Sequence, residues 1–211
     1  MGVKAPRPYD SSRRREQAER TRDAILESAR QRFLVDGYAG ATVAAIARDA
    51  AVSVETIYKA YGGKPGLVRA LWQRGLGGRG PIPAPVRSDE MSATQRDPAE
   101  IIRHWGRLSA EVAPEVAPIL LLVRAAAATD PAMAELLEET DRQRWDRMRH
   151  NALRLAAAGG IRDGISLDDA TDILWTVSST EMYDLLVLRR KWPVDRYARF
   201  VSDTITSALV P

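Results

Sequence analysis

The sequence predicts an all-α protein of about nine helices. A small three-helix unit near the N-terminus leads through a connecting helix into a larger helical domain. Three observations carry this reading. Apolar residues recur at three- and four-residue spacing along most of the chain, the period of one helix face. No stretch alternates as a half-buried strand does, and no internal repeat is visible. Glycine and proline clusters cut the helical stretches at intervals that suit ordinary globular helices.

Residues 1–12 hold two prolines, two serines and no apolar period, so they read as a flexible tail running into Arg13-Arg14-Arg15. The first helix is expected from about Arg14 to Asp36. Ile25, Leu26, Ala29 and Phe33 form its stripe, and Gly37 stands where a left-handed residue closes a helix. Thr42 suits the N-cap of a second helix with Val43, Ile46, Ala47 and Ala50 on one face. After Ala51-Val52, Ser53 caps a third, short helix anchored by Ile57 and ended by Tyr61 and Gly62-Gly63. Lys64-Pro65 opens a fourth, with Leu67, Val68, Leu71 and Trp72 inward. Residues 80–97, rich in proline and glycine, read as a linker and as the domain boundary. Five more helices follow, over about 98–112, 114–129, 131–158, 168–191 and 193–209. The expected domains are thus a tail at 1–12, a three-helix unit at 13–62, a connecting helix at 63–79, a linker at 80–97 and a helical domain at 98–211.

Composition narrows the function. Hydrophobic residues are 45% of the chain, enough for a sizeable core. The absence of cysteine removes disulfides, thiolate metal sites and cysteine nucleophiles. No apolar run is long enough for a secretory signal or a membrane span, so the reading is a soluble, cytoplasmic protein. The net charge of +3 is uneven: residues 1–79 carry +7 and the remainder −4. Either the first third meets a polyanion, or the skew is a solvated surface without a partner. The two histidines, His104 and His150, lack the helical partner spacing of a metal motif, and neither a nucleophile elbow nor a phosphate loop is present. No cofactor or metal is expected, and an enzyme is disfavoured.

Two short helices behind a longer one, inside the basic region, fit a helix-turn-helix. The small Ala47 and Ala50 permit close helix packing, and Val52 and Ile57 fill the angle. The next helix is left free for the wide major groove of duplex DNA. The run Ile25, Ala29, Phe33, Gly37, Thr42, Ile46-Ala47, Ala50, Val52-Ser53, Thr56-Ile57-Tyr58, Tyr61, Lys64 and Leu67 resembles the tetracycline-repressor-like (TetR) transcriptional regulators. The resemblance covers the first third of the chain.

That resemblance implies roles residue by residue. Thr42 would face a phosphate at the start of the helix crossing the backbone. Ser53 and Thr56 would reach bases or phosphate, Tyr58 phosphate, and Lys59 phosphate or a base. Lys64 would hold phosphate at a helix N-terminus. Two positions depart from the commonest pattern. Glu55 puts a carboxylate at the groove-facing end, where it accepts from a cytosine amino group or turns away. Ala60 stands where a larger residue is usual.

The resemblance also implies a homodimer, which a single reading head needs in order to span two half-sites about 34–36 Å apart. Leu174, Val177, Glu181 and Leu185, with Tyr197, Val201, Thr204 and Ala208, are the expected interface; the alternative is a core wholly inside one subunit. It implies further a pocket for a small apolar or amphipathic ligand that releases a repressor from a palindromic operator. Trp72, Trp105, Leu108, Leu120, Arg124, Met133, Trp145, Met148 and Trp175 are the expected lining, although such residues at helical spacing also build plain cores. Arg124 would meet a ligand carboxylate or an internal acid. The competing reading is a regulator that binds DNA constitutively, which a fully packed C-terminal core would favour over a cavity.

Overall fold

The computed structural model describes residues 11–211, with side chains from residue 13 onward; all but the last two positions of the expected tail lie outside the described residues. Among the described residues the chain is helical throughout, without strands. It forms two compact units, one ending at Leu67 and the other beginning at Val68.

The first unit starts with α1 (Ser11–Gly40), interrupted at Gly37, whose positive φ of 70° breaks the helical path. Ile25, Ala29 and Phe33 on its inner face are buried, and Tyr38 stacks on Phe33 at 6.0 Å. In α2 (Val43–Asp49), the Thr42 hydroxyl accepts from the Ala45 amide at 3.1 Å. Asp49 ties α2 to α1 by accepting from Arg32 Nε at 2.6 Å. The turn that follows is closed by the Val52 amide, which donates to the Ala47 carbonyl at 2.9 Å, with Ala51 at φ 53°. In α3 (Val54–Tyr61), Ser53 accepts from the Thr56 amide at 3.1 Å, and left-handed Gly62 donates back to Tyr58. Ile46, Ala47 and Ile57 complete the core of this unit. Helix α4 runs over Lys64–Gly77.

The second unit holds α5 (Ala84–Thr94), α6 (Pro98–Ala127), α7 (Pro131–Ala157), α8 (Leu167–Val177), α9 (Thr180–Tyr183), a π-helical turn at Asp184–Arg189 and α10 (Val194–Leu209). Helix α6 is the spine: it packs on α5, α7, α9 and α10, and α7 packs in turn on α8. Ile101, Ile102, Trp105, Leu155, Leu174, Tyr197 and Val201 are among the core residues. Gly106 marks the close crossing of α6 and α10. A Cβ there would fall 2.6 Å from the Ala198 carbonyl oxygen and 3.1 Å from Ser202 Cβ.

Three boundaries differ from the sequence reading. Residues 80–97 are not a structureless linker, and the division between units falls earlier. Helix α5 occupies this stretch, burying Ala84, Ser88 and Ser92 at four-residue spacing. A stripe of such small residues gives no apolar signal, and three nearby prolines suggested a loop. The two helices expected at 98–112 and 114–129 are one, Pro98–Ala127, with Pro114 and Pro118 inside it. An interior proline costs about 3 kcal/mol. Burial of Val116, Ile119, Leu120 and Val123 on the same segment offsets this, at roughly 1.5–3 kcal/mol per side chain. Finally, the helix expected at 168–191 is broken. Ser178 donates to the Leu174 carbonyl at 2.7 Å, and Ser179 caps α9 by accepting from the Met182 amide, so local side-chain bonds compete with helix continuation.

Candidate nucleic-acid interface and ligand cavity

Helix α3 is held by a single wholly buried side chain, Ile57. Every other residue from Ser53 to Ala60 is exposed. One buried anchor on an eight-residue helix leaves nearly its whole circumference open to a ligand as large as a duplex groove. Glu55, Thr56, Tyr58 and Lys59 stand on this surface, and Thr42 and Arg48 at the two ends of α2 are exposed as well. Tyr58 is 54% exposed, so it is no core aromatic. The ring lies along the backbone of Gly63, where a Cβ would come within 3.3 Å of it. Ser53 and Thr56 share a hydroxyl contact of 2.8 Å. Lys64 is different: its ammonium donates to the Tyr38 carbonyl at 2.7 Å and sits 4.5 Å over the Tyr38 ring, fastening α4 to the end of α1.

The second unit holds a half-open cavity of about 340 Å³, within the range of small-molecule sites. Its apolar wall comes from α4 (Trp72, Leu76) and α6 (Trp105, Leu108, Val112, Val116, Leu120). Helix α7 adds Thr140, Arg144, Arg147, Met148 and Asn151, and α10 adds Tyr197 and Val201. Burial pushes the Arg144 guanidinium down to about 10 and holds the Tyr197 phenol well above its ordinary range.

Residues 25–71 match the family described as bacterial regulatory proteins, tetR family. This segment spans the whole helix-turn-helix and the first half of α4. Residues 25–71 thus carry the DNA-binding domain of the TetR-family transcriptional regulators. Regulators of this family are DNA-binding transcription factors rather than enzymes. No curated protein matches the chain in sequence. Solved structures share its fold. The fatty acid degradation regulator FadR from Bacillus halodurans superposes with a TM-score of 0.72 at 17% identity, over 88% of this chain and 94% of that one. A regulator from Saccharomonospora viridis in complex with choline gives 0.69 at 19%, over 92% and 99%. The SmeT–triclosan complex gives 0.69 at 21%, over 90% and 92%. The TetR arrangement of an N-terminal helix-turn-helix and a helical C-terminal domain accounts for both units.

In the second unit, Trp72, Trp105, Leu108, Leu120 and Met148 line the cavity, whereas four other expected residues do not. Met133 is buried in packing elsewhere. Trp145 donates to Asp172 at 3.4 Å, and Trp175 lies under the Arg144 guanidinium. Arg124 pairs with the internal acids Glu181 and Asp141. The expected dimer face also needs correction. Leu174, Tyr197 and Val201 are wholly buried within their own unit and line the cavity, so they are not available to a partner. Val177, Thr204 and Ala208 are half-buried, Glu181 is engaged with Arg124, and Leu185 is 49% exposed. The physical reason is that an amphipathic stripe identifies a buried face without saying what buries it.

Sequence reasoning missed Arg144, Thr140 and Asn151 as cavity residues. Their signal was present: Thr140, Arg144, Arg147 and Asn151 recur with Met148 at helical spacing on α7, a mostly polar stripe on that helix. No group of three or more potential metal ligands occurs among the described residues. No helix among them is long and apolar enough to cross a membrane.

Proposed function

We propose that this regulator is a homodimeric repressor that binds a palindromic operator through α3 and is released from it by a small-molecule ligand. The observation carrying this reading is the cavity of the second unit. Its wall includes Trp72 and Leu76 of α4, the same helix that begins at Lys64, where the ammonium grips the end of α1. A ligand that favours one placement of α4 biases the reading head to the extent of its differential affinity for the two states. A packed core would have supported constitutive binding; a cavity of about 340 Å³ supports a ligand-responsive regulator. The solved relatives with choline and triclosan agree with this reading.

Thr42, Ser53, Thr56 and Tyr58 are assigned to phosphates and base edges, with Lys59 as the charged contact and Glu55 as a discriminating acceptor. Lys64 keeps its bond to Tyr38 and offers its remaining N–H groups to phosphate. Exposed Leu185 and half-buried Val177, Thr204 and Ala208 are assigned to the dimer contact.

Selection of duplexes from a random pool by the full-length protein tests the first half of this proposal. A palindrome bound by two chains, with half-sites about one helical turn apart, is the expected result; enrichment of a lone half-site would refute the dimer. Release is tested by displacement of that duplex with a library of apolar small molecules. Ser109 of α6 also lines the cavity, and the cavity-filling Ser109→Phe should keep DNA binding and lose every response. A response that survived in this variant would place the ligand elsewhere.

A further inference from the structure

The unsatisfied polarity of the cavity wall has one sign. No aspartate or glutamate lines it, while Arg144 and Arg147 both do. Arg147 is engaged, donating to Asp89 at 3.1 Å and to the Pro85 carbonyl at 3.2 Å, and His150 approaches the same carboxylate. The hydroxyls of Thr140 and Ser178 donate to carbonyls of their own helices, Leu137 and Leu174. Arg144 is the exception among the charges. It gives one N–H to the Trp175 carbonyl at 2.5 Å and lies 4.6 Å over the Trp175 ring, but forms no ion pair with an acid among the described residues. Asp141 and Arg124 act on it only through their fields, with opposite signs.

In the same wall, the Tyr197 hydroxyl and the Trp105 indole N–H are buried without a hydrogen-bond partner among the described residues. Arg144 is near enough to Tyr197 to act on its phenol electrostatically. Buried donors without partners carry a standing desolvation cost, which a bound acceptor removes. A carboxylate is the group that suits a guanidinium and a neighbouring hydroxyl together.

We infer that the cavity takes an amphipathic anion, a carboxylate on a short apolar body, with its charge held by Arg144 and the Tyr197 hydroxyl. This rests on the reading of the cavity as a ligand site. The rest of the wall, from Trp72 and Leu76 to Val112 and Leu120, suits an alkyl or aryl body. At roughly 30 Å³ per water-sized atom, the 340 Å³ cavity has room for on the order of ten non-hydrogen atoms. The competing chemistry is a quaternary ammonium held by Trp72, Trp105 and Tyr197. Arg144 in the same wall repels it, and no carboxylate compensates.

Calorimetric titration of the full-length protein with octanoate, 1-octanol and octyltrimethylammonium tests the assignment at constant chain length. Octanoate should bind about tenfold or more tightly than octanol, as expected for hydrogen bonds to a charged group, and the ammonium most weakly. Arg144→Met should bring octanoate close to octanol. Tyr197→Phe removes only an unpartnered hydroxyl, so it should melt no lower than wild type, yet weaken octanoate about tenfold while leaving octanol unchanged. Octanol or the ammonium binding as well as octanoate would overturn the anion and leave the cavity reading standing. So would unchanged octanoate affinity in both variants. Binding of none of the three would overturn the inference and remove support from the ligand-responsive reading itself.

Discussion

Ile57→Ala isolates the one side chain that seats α3. Ile57 is wholly buried and is the only buried residue of that helix. The substitution deletes three carbons, worth about 2.4 kcal/mol at ~0.8 kcal/mol per buried methylene. The space left, on the order of 80 Å³ if nothing relaxes, adds up to about 2 kcal/mol at ~24 cal/mol per Å³. With partial collapse of the site, a loss of about 3–4 kcal/mol is expected, more than two powers of ten in the equilibrium that holds α3 in place. Hydrogen exchange by mass spectrometry on the full-length protein reads this directly. Amides of residues 54–61 should lose protection, while those of α6 and α7 should not change. Fluorescence anisotropy with a selected duplex should show affinity falling together with the protection. Thr56→Ala on the same helix is the control, since Thr56 is exposed and its loss should leave protection nearly intact. Unchanged protection in Ile57→Ala would refute the claim that this residue seats the helix. Lost protection with full DNA affinity would refute the assignment of α3 to the groove.

Lys59→Ala should weaken binding to all duplexes and reduce the slope of log K against log salt by about 0.9, the share of one phosphate contact; an unchanged slope in anisotropy titrations would take Lys59 off the phosphates. Tyr58→Phe should cost about 0.5–1.5 kcal/mol of affinity, without a change in slope, because it removes a hydrogen bond and no charge. Gly106→Ala should lower stability by about 1–3 kcal/mol as its new Cβ forces α6 away from α10, seen as a drop of about 2–4 °C in melting temperature per kcal/mol. Acid should loosen α5 through Glu111. The Arg87 pair holds this carboxyl below its usual range, against an opposing push from burial, and the Arg79 amide assists. Its contribution is therefore complete above the unfolded value near ~4.3 and disappears as pH falls through the lower folded value. Melting curves from pH 6 to 3 should be flatter in Arg87→Ala than in wild type.

The reading head was legible because its signals are local. Thr42 and Ser53 are caps, Gly37 and Gly62 are left-handed closures, and Ile57 is a lone apolar residue at the right offset. Each can be read within a window of a few residues. The body was legible in outline only. Its errors came where distant packing overrides local propensity, as at Pro114 and Pro118, or where the buried stripe is made of alanine and serine, as in α5. The cavity was half legible. Tryptophan and methionine drew attention to α4 and α6. Arg144, however, looked like one charge among many on α7, and only the fold turns it inward to the cavity wall while Arg124 stays with its acids. Likewise Tyr197 and Val201 showed a stripe, and nothing in the sequence says that the stripe meets the subunit's own interior.

The two prolines of α6 have one more effect. Lacking amide hydrogens, Pro114 and Pro118 leave the carbonyls of Ala110 and Pro114 without their usual donors, two missing rungs stacked along the same side of a thirty-residue rod. The residues interleaved with them, Val112, Ala113, Val116 and Ala117, border the cavity. Flexing the rod at this point ruptures fewer helical hydrogen bonds than flexing it elsewhere along its length, so α6 bends most easily where it borders the cavity.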